Sequence, residues 1–308
     1  MALGGVVLAG RRGPVRWRVA GRLDARLPEL WGRDQVVGWV RGPVDRYGGP
    51  LAGRLANGMS FDVASCRDGS ARALSALRYR EPALAPVFEA VLRPGDTCYD
   101  VGANIGVYTL WAAGLVGRWG QVHAFEPVPP TMAVLREMVQ RNGLGQVVPV
   151  ASAIGATVGQ TGLRSYQGAS GRAHAVADPS HADHFARLDT LDAYVARHRP
   201  PDLVKIDVAG AEIDVLRGAT ELLEDRAPAL LLEMLTSRVA RRGGTPGQAE
   251  LVGRLLDAGY VLFNLTPNGP VANGRFTSNV LAIAPRWDRF DRVVAALARV
   301  PFPRSQPI

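Results

Sequence analysis

Cysteine is scarce in this chain, with two in 308 residues, Cys66 and Cys98. Two thiols supply neither a disulfide framework nor a zinc-ligand spacing. Cys98 falls inside a predicted strand, where a small buried thiol is the expected reading. Long apolar runs are missing too: the richest, PALLLEML, is far shorter than the ~20 residues needed to cross a bilayer. The opening MALGGVVLAGRR has a brief apolar stretch with no basic residue ahead of it, so a cytoplasmic location is expected. Aromatic residues make up only 7% of the chain, which limits the stacking partners its net charge of +8 could recruit. Such a charge invites nucleic acid, but the arginines behind it are scattered, densest in RRGPVRWR near the start. No recognition helix or stacking motif accompanies them, so a nucleic-acid partner is the minority reading.

What is present is an alternating α/β pattern. From about residue 96, short apolar strands and amphipathic helices follow one another with short connections, as in a parallel sheet covered on both faces. The strands are DTCYDVG, QVHAFE, QVVPVAS, DLVKIDV and ALLLEM. The helices are IGVYTLWAAGLVG, PTMAVLREMVQRNG, DAYVARH, AEIDVLRGATELLED and PGQAELVGRLLDAG. In the first, Ile105, Thr109, Ala112 and Val116 share a face; in the second, Met132, Leu135, Met138 and Val139 do. The AEIDVLRGATELLED helix is expected to bury Ile213, Leu216 and Leu223. Two last strands, YVLFNL and SNVLAIA, are joined by TPNGPVANG without a crossover helix and so should pair antiparallel. Residues 155–185, rich in Gly, Ala, Ser and His, suggest a hairpin or mobile loop. Residues 1–75, with short strands such as GMSFDVA and no long helix, form an extension to a main domain over 76–308.

The stretch CYDVGANIGVYTL carries the first chemical signal. A strand that ends in a glycine turn and feeds a helix presents backbone N–H groups to a ligand, at the sheet edge where doubly wound folds bind them. Dinucleotide enzymes place a middle glycine here to approach a pyrophosphate; this chain has Ala103-Asn104 instead. The turn therefore suits a ligand without that group, which disfavours a nicotinamide-dependent dehydrogenase. Glu126 ends the next strand, 20 residues after Gly106. A carboxylate there can accept both hydroxyl protons of a ribose; it could also be a solvated charge or a helix cap. Ser152, closing the third strand, is placed to meet an adenine edge or to serve as an ordinary turn residue.

Taken together and in order, DVGANIG, AFEPVP, RLDTLDAY, LVKIDVAGAEIDVLRGA and LLLEM resemble the FkbM-type methyltransferases, a branch of the class I S-adenosylmethionine-dependent enzymes. The resemblance covers roughly residues 79–235 and implies a Rossmann-like, doubly wound sheet of seven strands, mostly parallel with the last antiparallel. It implies S-adenosyl-L-methionine as cofactor and a hydroxyl group as methyl acceptor. Asp100, Gly102 and Asn104 would line the methionine end, Glu126 would hold the ribose, and Ser152 would lie near the adenine. YREP matches a segment that precedes the first strand in relatives, making Tyr79 and Glu81 candidates to cap the cofactor. The acceptor would be a small molecule: a sugar, polyketide, lipid or other secondary metabolite.

For the transfer itself the residues point to Asp207, at the end of the fourth strand, as base or acceptor-orienting group, with helix capping as the alternative. Lys205 lies two residues earlier on the same face, and Glu233, ending the fifth strand, adds a second acid. Asp207 and Glu233 could suit a hard cation, but no third ligand accompanies them and no metal is assigned. His174, His181 and His184 cluster in an irregular loop without a zinc spacing. One departure stands out: the family pattern Asp-Val-Glu-Gly is here Asp207-Val208-Ala209-Gly210. If the missing glutamate serves the chemistry, activity must rely on Asp207, Glu212 or a histidine or is lost, which keeps open a non-catalytic binder of the same cofactor; if it only caps the following helix, Glu212 in that helix's first turn compensates. RNA methylation is the other alternative.

Overall fold

The computed structural model describes residues 52–54, 59–62, 84–166, 169–176, 178–208, 210–233, 246–266, 269–272 and 279–299. Tyr79, Glu81, Ala209 and most of the 1–75 segment lie outside them.

Eight strands form the main sheet. Its order is β13 (Gly269–Ala272), β12 (Val261–Thr266), β14 (Asn279–Ile283), β11 (Ala229–Glu233), β10 (Leu203–Ile206), β3 (Thr97–Val101), β4 (Gln121–Phe125) and β5 (Val147–Val150). The five strands β5, β4, β3, β10 and β11 run parallel, and β14 lies antiparallel between β11 and β12. This is the expected seven-strand arrangement with its antiparallel last strand. Short β13 is added at the outer edge, folding back on β12 from within the stretch read as a plain connection.

Helices cover both faces because successive side chains of each strand alternate between them. Cys98, Val122, Ala124, Leu203 and Leu231 face one layer. That layer is made by α1 (Ala85–Val91), α2 (Val107–Val116), α3 (Pro129–Arg141) and α7 (Phe290–Arg299). Tyr99, Phe125, Val204, Ile206 and Leu230 face the other, made by α4 (Leu191–Val195), α5 (Glu212–Arg217) and α6 (Pro246–Asp257). The central strand β3 is buried along its whole length. At the opposite end from the site, Arg289 locks α7 to the sheet by pairing with Asp96 and with Asp202.

The sequence AEIDVLRGATELLED does not form one helix. It divides into α5 and a single wide turn over Leu222–Arg226. Two contacts cause the break. A side chain at Gly218 would come within 2.1 Å of the Gly155 carbonyl oxygen, so the chain passes too close there to continue a helix. The Asp192 carboxylate then accepts the amides of Glu221 and Leu222, restarting the helix as a remote cap. Leu216 and Leu223 are buried as expected, whereas Ile213 is only partly so.

Of the two readings for the 155–185 stretch, the described residues show the hairpin. β7 (Gly159–Tyr166) and β8 (Ala169–Val176) form a hairpin. With β9 (His184–Asp189) and β6 (Ala153–Ile154) they build a second, four-stranded sheet in the order β6-β9-β7-β8. Leu163 and Ala186 pack this sheet against Val128, two residues past Glu126. Within the 1–75 segment, β1 (Ala52–Arg54) and β2 (Ser60–Asp62) pair antiparallel. The Asn142 side chain, just past α3, bonds both the amide and the carbonyl of Ser60 and so ties this hairpin to the main sheet's helical layer.

Candidate active site

The carboxyl ends of β3, β4, β10 and β11 bring four of the acids singled out above, Asp100, Glu126, Asp207 and Glu233, to one edge of the sheet. The turn after β3 is built from within. Gly102 has φ +77°, and a side chain on it would stand 1.9 Å from the Asp207 carbonyl oxygen. Gly106 has φ +92°, and its side chain would meet Leu135 of α3 at 2.5 Å. Both glycines are therefore required by left-handed backbone and by close packing of neighbouring elements, a reason the sequence alone did not separate from ligand approach. Asn104, between them, also has positive φ (52°), which Asn tolerates better than most side chains.

Glu126 stands against this turn rather than across the sheet from it. Its two carboxylate oxygens accept the Asn104 amide at 3.0 Å and the Val128 amide at 2.8 Å. Phe125 reinforces the join, its carbonyl accepting the amides of Gly102 and Ala103. Glu126 is 5% exposed. Burial pushes its pKa up to about 7, the two amide hydrogen bonds and Lys205 opposing that rise. A side chain of this kind is poised to ionise fully when a donor-rich ligand arrives. The Asn104 Oδ1, also buried, has no hydrogen-bond partner among the described residues.

Beneath the turn lies a charge cluster centred on Lys205. Its ammonium is 3.2 Å from the Gly102 carbonyl oxygen. It is 3.3 Å from Asp100 Oδ1 and 3.3 Å from Asp207 Oδ2. Burial alone would lower the Lys205 pKa, but Asp100 and Asp207 outweigh it and hold the ammonium firmly protonated. Asp100 is fully buried, and its other oxygen accepts the Thr109 hydroxyl of α2 at 2.7 Å. Asp207 is different: its side chain is 38% exposed on the rim. Burial raises its pKa, while Lys205 and a side-chain hydrogen bond with Glu233 reverse the effect and leave it below the usual carboxylate range. Two carboxyl groups so joined titrate as a pair.

The remaining candidates divide. The Ser152 hydroxyl, buried, is directed at the carbonyls of Ala153 (2.9 Å) and Arg187 (3.0 Å), joining the end of β5 to the second sheet. Glu212 accepts the amides of Val208 and Gly210, so an acid does cap the turn that contains Ala209. His174 on β8 pairs in register with Arg164 and His184 on β9 with Leu163, while His181 ends the short helical turn Pro179–His181 between them. Among the described residues no group of three or more His, Cys, Asp or Glu is arranged to hold a metal ion, and no helix is long and apolar enough to cross a membrane. Two contributors went unnoticed in the sequence: Thr109, read only as core, and Tyr108 beside it, whose ring lies 4.9 Å from the Lys205 ammonium. The signal available was their place in the first turn of the helix that follows the glycine corner.

Comparison with known proteins agrees with this geometry. A family model described as methyltransferase FkbM domain matches residues 100–262, more than half of the chain. The chain is 28% identical over 210 residues to AMB antimetabolite synthetase AmbE of Pseudomonas aeruginosa, covering 54% of this chain and 9% of that protein. It is 51% identical over 51 residues to the 31-O-demethyl-FK506 methyltransferase FkbM of Streptomyces tacrolimicus, covering 17% and 19% of the two. It is 30% identical over 131 residues to the hexuronic acid methyltransferase AglP of Haloferax volcanii, covering 42% and 52%. The matched segments thus span about half or less of these relatives' lengths.

Proposed function

The chain belongs to the methyltransferase FkbM family, whose members use S-adenosyl-L-methionine, and on that premise we propose that it methylates a hydroxyl group of a small molecule such as a sugar, polyketide, lipid or other secondary metabolite. The observation that carries the reading is the hydrogen bond from the Asn104 amide to Glu126, which makes the turn and the acid one continuous wall. The residues present fit the cofactor. Glu126 keeps lone pairs on both oxygens for the two ribose hydroxyls. The partnerless Asn104 Oδ1 is a buried acceptor of the kind an ammonium would satisfy. Asp100, already engaged by Thr109 and Lys205, supports the turn from below. The Ser152 oxygen retains acceptor capacity for the adenine amino group, and Tyr79 and Glu81 are proposed to close over the cofactor. The 1–75 segment, as an extension of the 76–308 domain, and the second sheet are proposed to face the acceptor.

Bound S-adenosyl-L-methionine supplies a methyl group on a positively charged sulfur, so the leaving group needs no acid. What remains for the chain is to align the acceptor oxygen and to receive its proton. Asp207, on the exposed rim, is the group proposed to meet that hydroxyl. The neighbouring ammonium that keeps Asp207 ionised also makes it a weak base. Its contribution is accordingly to accept the hydroxyl hydrogen bond and orient the oxygen, with Glu233 beside it to pass the proton outward. The non-catalytic alternative raised by Ala209 draws less support, because Glu212 already caps the same turn.

Transfer of a labelled methyl group to a panel of hydroxylated metabolites tests this reading. Label in an ether product is the expected result; donor binding with no label in any acceptor would favour a binding protein instead. Asp207→Asn should lower turnover by about a hundredfold, the low end of what a positioned acid or base contributes. S-adenosylhomocysteine affinity should change little. Undiminished turnover in that variant removes Asp207 from the chemistry.

A further inference from the structure

We infer that Lys205 and Tyr108 form a positioning pair that couples the cofactor turn to the acceptor-side carboxylates, the ammonium fixing where Gly102 and Asp207 stand without touching either substrate. The inference rests on the methyl-transfer reading above and assigns a role to Tyr108 for the first time.

The argument is one of saturation. An ammonium has three protons to donate. Here three oxygens lie within 3.3 Å of it: the Gly102 carbonyl on the donor side, Asp100 beneath the turn, and Asp207 on the acceptor rim. The Tyr108 ring covers a further side, 4.9 Å from the nitrogen, a cation–π contact that gains strength where water is excluded. Lys205 is 4% exposed. Buried among these groups, the ammonium is hydrogen-bonded to the turn and ion-paired to both carboxylates, which leaves a substrate little access to it. The ring is itself held from behind, since Phe88 of α1 stacks on it with centroids 5.5 Å apart and planes within 7°. One buried cation therefore connects two neighbouring strands, in register at Lys205 and Asp100, with the backbone of the cofactor turn.

Removing the charge would leave Asp100 and Asp207 beside each other with nothing to neutralise them. The other ionisable groups facing the same cluster are Glu126 after β4, Glu233 on β11, Glu212 at the start of α5 and the Cys98 thiol on β3. Every one is acidic or neutral. Without the ammonium, these acids would hold protons to higher pH, and Glu126, whose protonation Lys205 opposes, would lose the ionised form proposed to bind the ribose. A side chain that merely filled space would leave no such pH signature.

The test is calorimetric binding of S-adenosylhomocysteine to the whole chain between pH 6 and pH 9. Variants are Lys205→Met, Lys205→Arg, Tyr108→Leu and Tyr108→Phe, each with its melting temperature measured in parallel. For Lys205→Met we expect affinity at pH 8 to fall at least about tenfold below the native protein, a deficit that widens toward pH 6 as Glu126, without the cation that opposes its protonation, holds its proton more firmly. Lys205→Arg should recover part of the loss. Tyr108→Leu should show a smaller deficit with the same widening toward pH 6, and Tyr108→Phe should restore most of it. Should Lys205→Met fail to fold, the Tyr108 pair carries the test alone. Native affinity in Lys205→Met and Tyr108→Leu, or a deficit constant across the pH range, overturns the coupling. Absence of binding in the native protein removes the methyl-transfer reading and this inference with it, an outcome distinct from native binding with unaffected variants.

Discussion

Glu126→Ala is expected to weaken S-adenosylhomocysteine binding by at least about a hundredfold, because two hydrogen bonds to a charged acceptor, each worth roughly 1.5–3 kcal/mol, disappear together. The pH dependence of the native protein gives the same prediction a second readout. Glu126 has a pKa of about 7 in the folded chain, and ribose binding favours its ionised form. Affinity should therefore drop about tenfold per pH unit below 7 and level off above it. In Glu126→Ala that slope should vanish. The sign for stability runs the other way. The folded chain keeps the Glu126 proton between pH 4.5 and 7, where the unfolded chain has lost it. This contribution to stability is present at acid pH and is lost as the pH rises through about 7, amounting to roughly 3 kcal/mol for that difference in pKa. The site is thus built on a group that costs stability at the pH where it binds. A flat binding profile from pH 5.5 to 8.5 would show that Glu126 does not meet the ribose.

Gly102→Ala is expected to be the most damaging small substitution in the molecule. The added methyl group would lie 1.9 Å from the Asp207 carbonyl oxygen, which is backbone and cannot swing aside, and the residue would have to hold φ +77°. Left-handed backbone costs about 1–2 kcal/mol and overpacking a further 1–3 kcal/mol. The expected loss is about 2–5 kcal/mol in denaturant unfolding, with donor binding abolished in whatever remains folded. Gly143→Ala is the control: φ is similar at +63°, but nothing lies within 4 Å. It should cost only about 1 kcal/mol. Equal effects at the two positions would mean that the approach of β3 to β10 is looser than the structure places it.

Much of this was legible before any coordinates. The strand and helix order of the main sheet, β13 apart, follows from period and punctuation, because its helices carry apolar residues at helical spacing and most of its strands are continuous apolar runs. Glu126 could be singled out since its distance from the glycine turn is a property of one strand–helix–strand unit. What escaped the sequence depends on partners distant along the chain. The break at Gly218 arises from the Gly155 carbonyl and from Asp192. The second sheet forms because β9 returns to pair with both β6 and β7, a register that composition does not encode. The glycines of the turn were read as room for a ligand, and the neighbours they accommodate are Asp207 and Leu135. Tyr108 was invisible for the same reason, its meaning coming from Lys205, 97 residues later.

The central proposition is that the corner after β3 and the carboxylate of Glu126 enclose one nucleoside slot that has no place for a pyrophosphate. Titrating the whole chain at pH 8 with S-adenosylhomocysteine and, separately, with NAD in a calorimeter tests it most directly. Saturable heat at one site with S-adenosylhomocysteine and none with NAD is the expected result. Saturable heat with NAD and none with S-adenosylhomocysteine would contradict it.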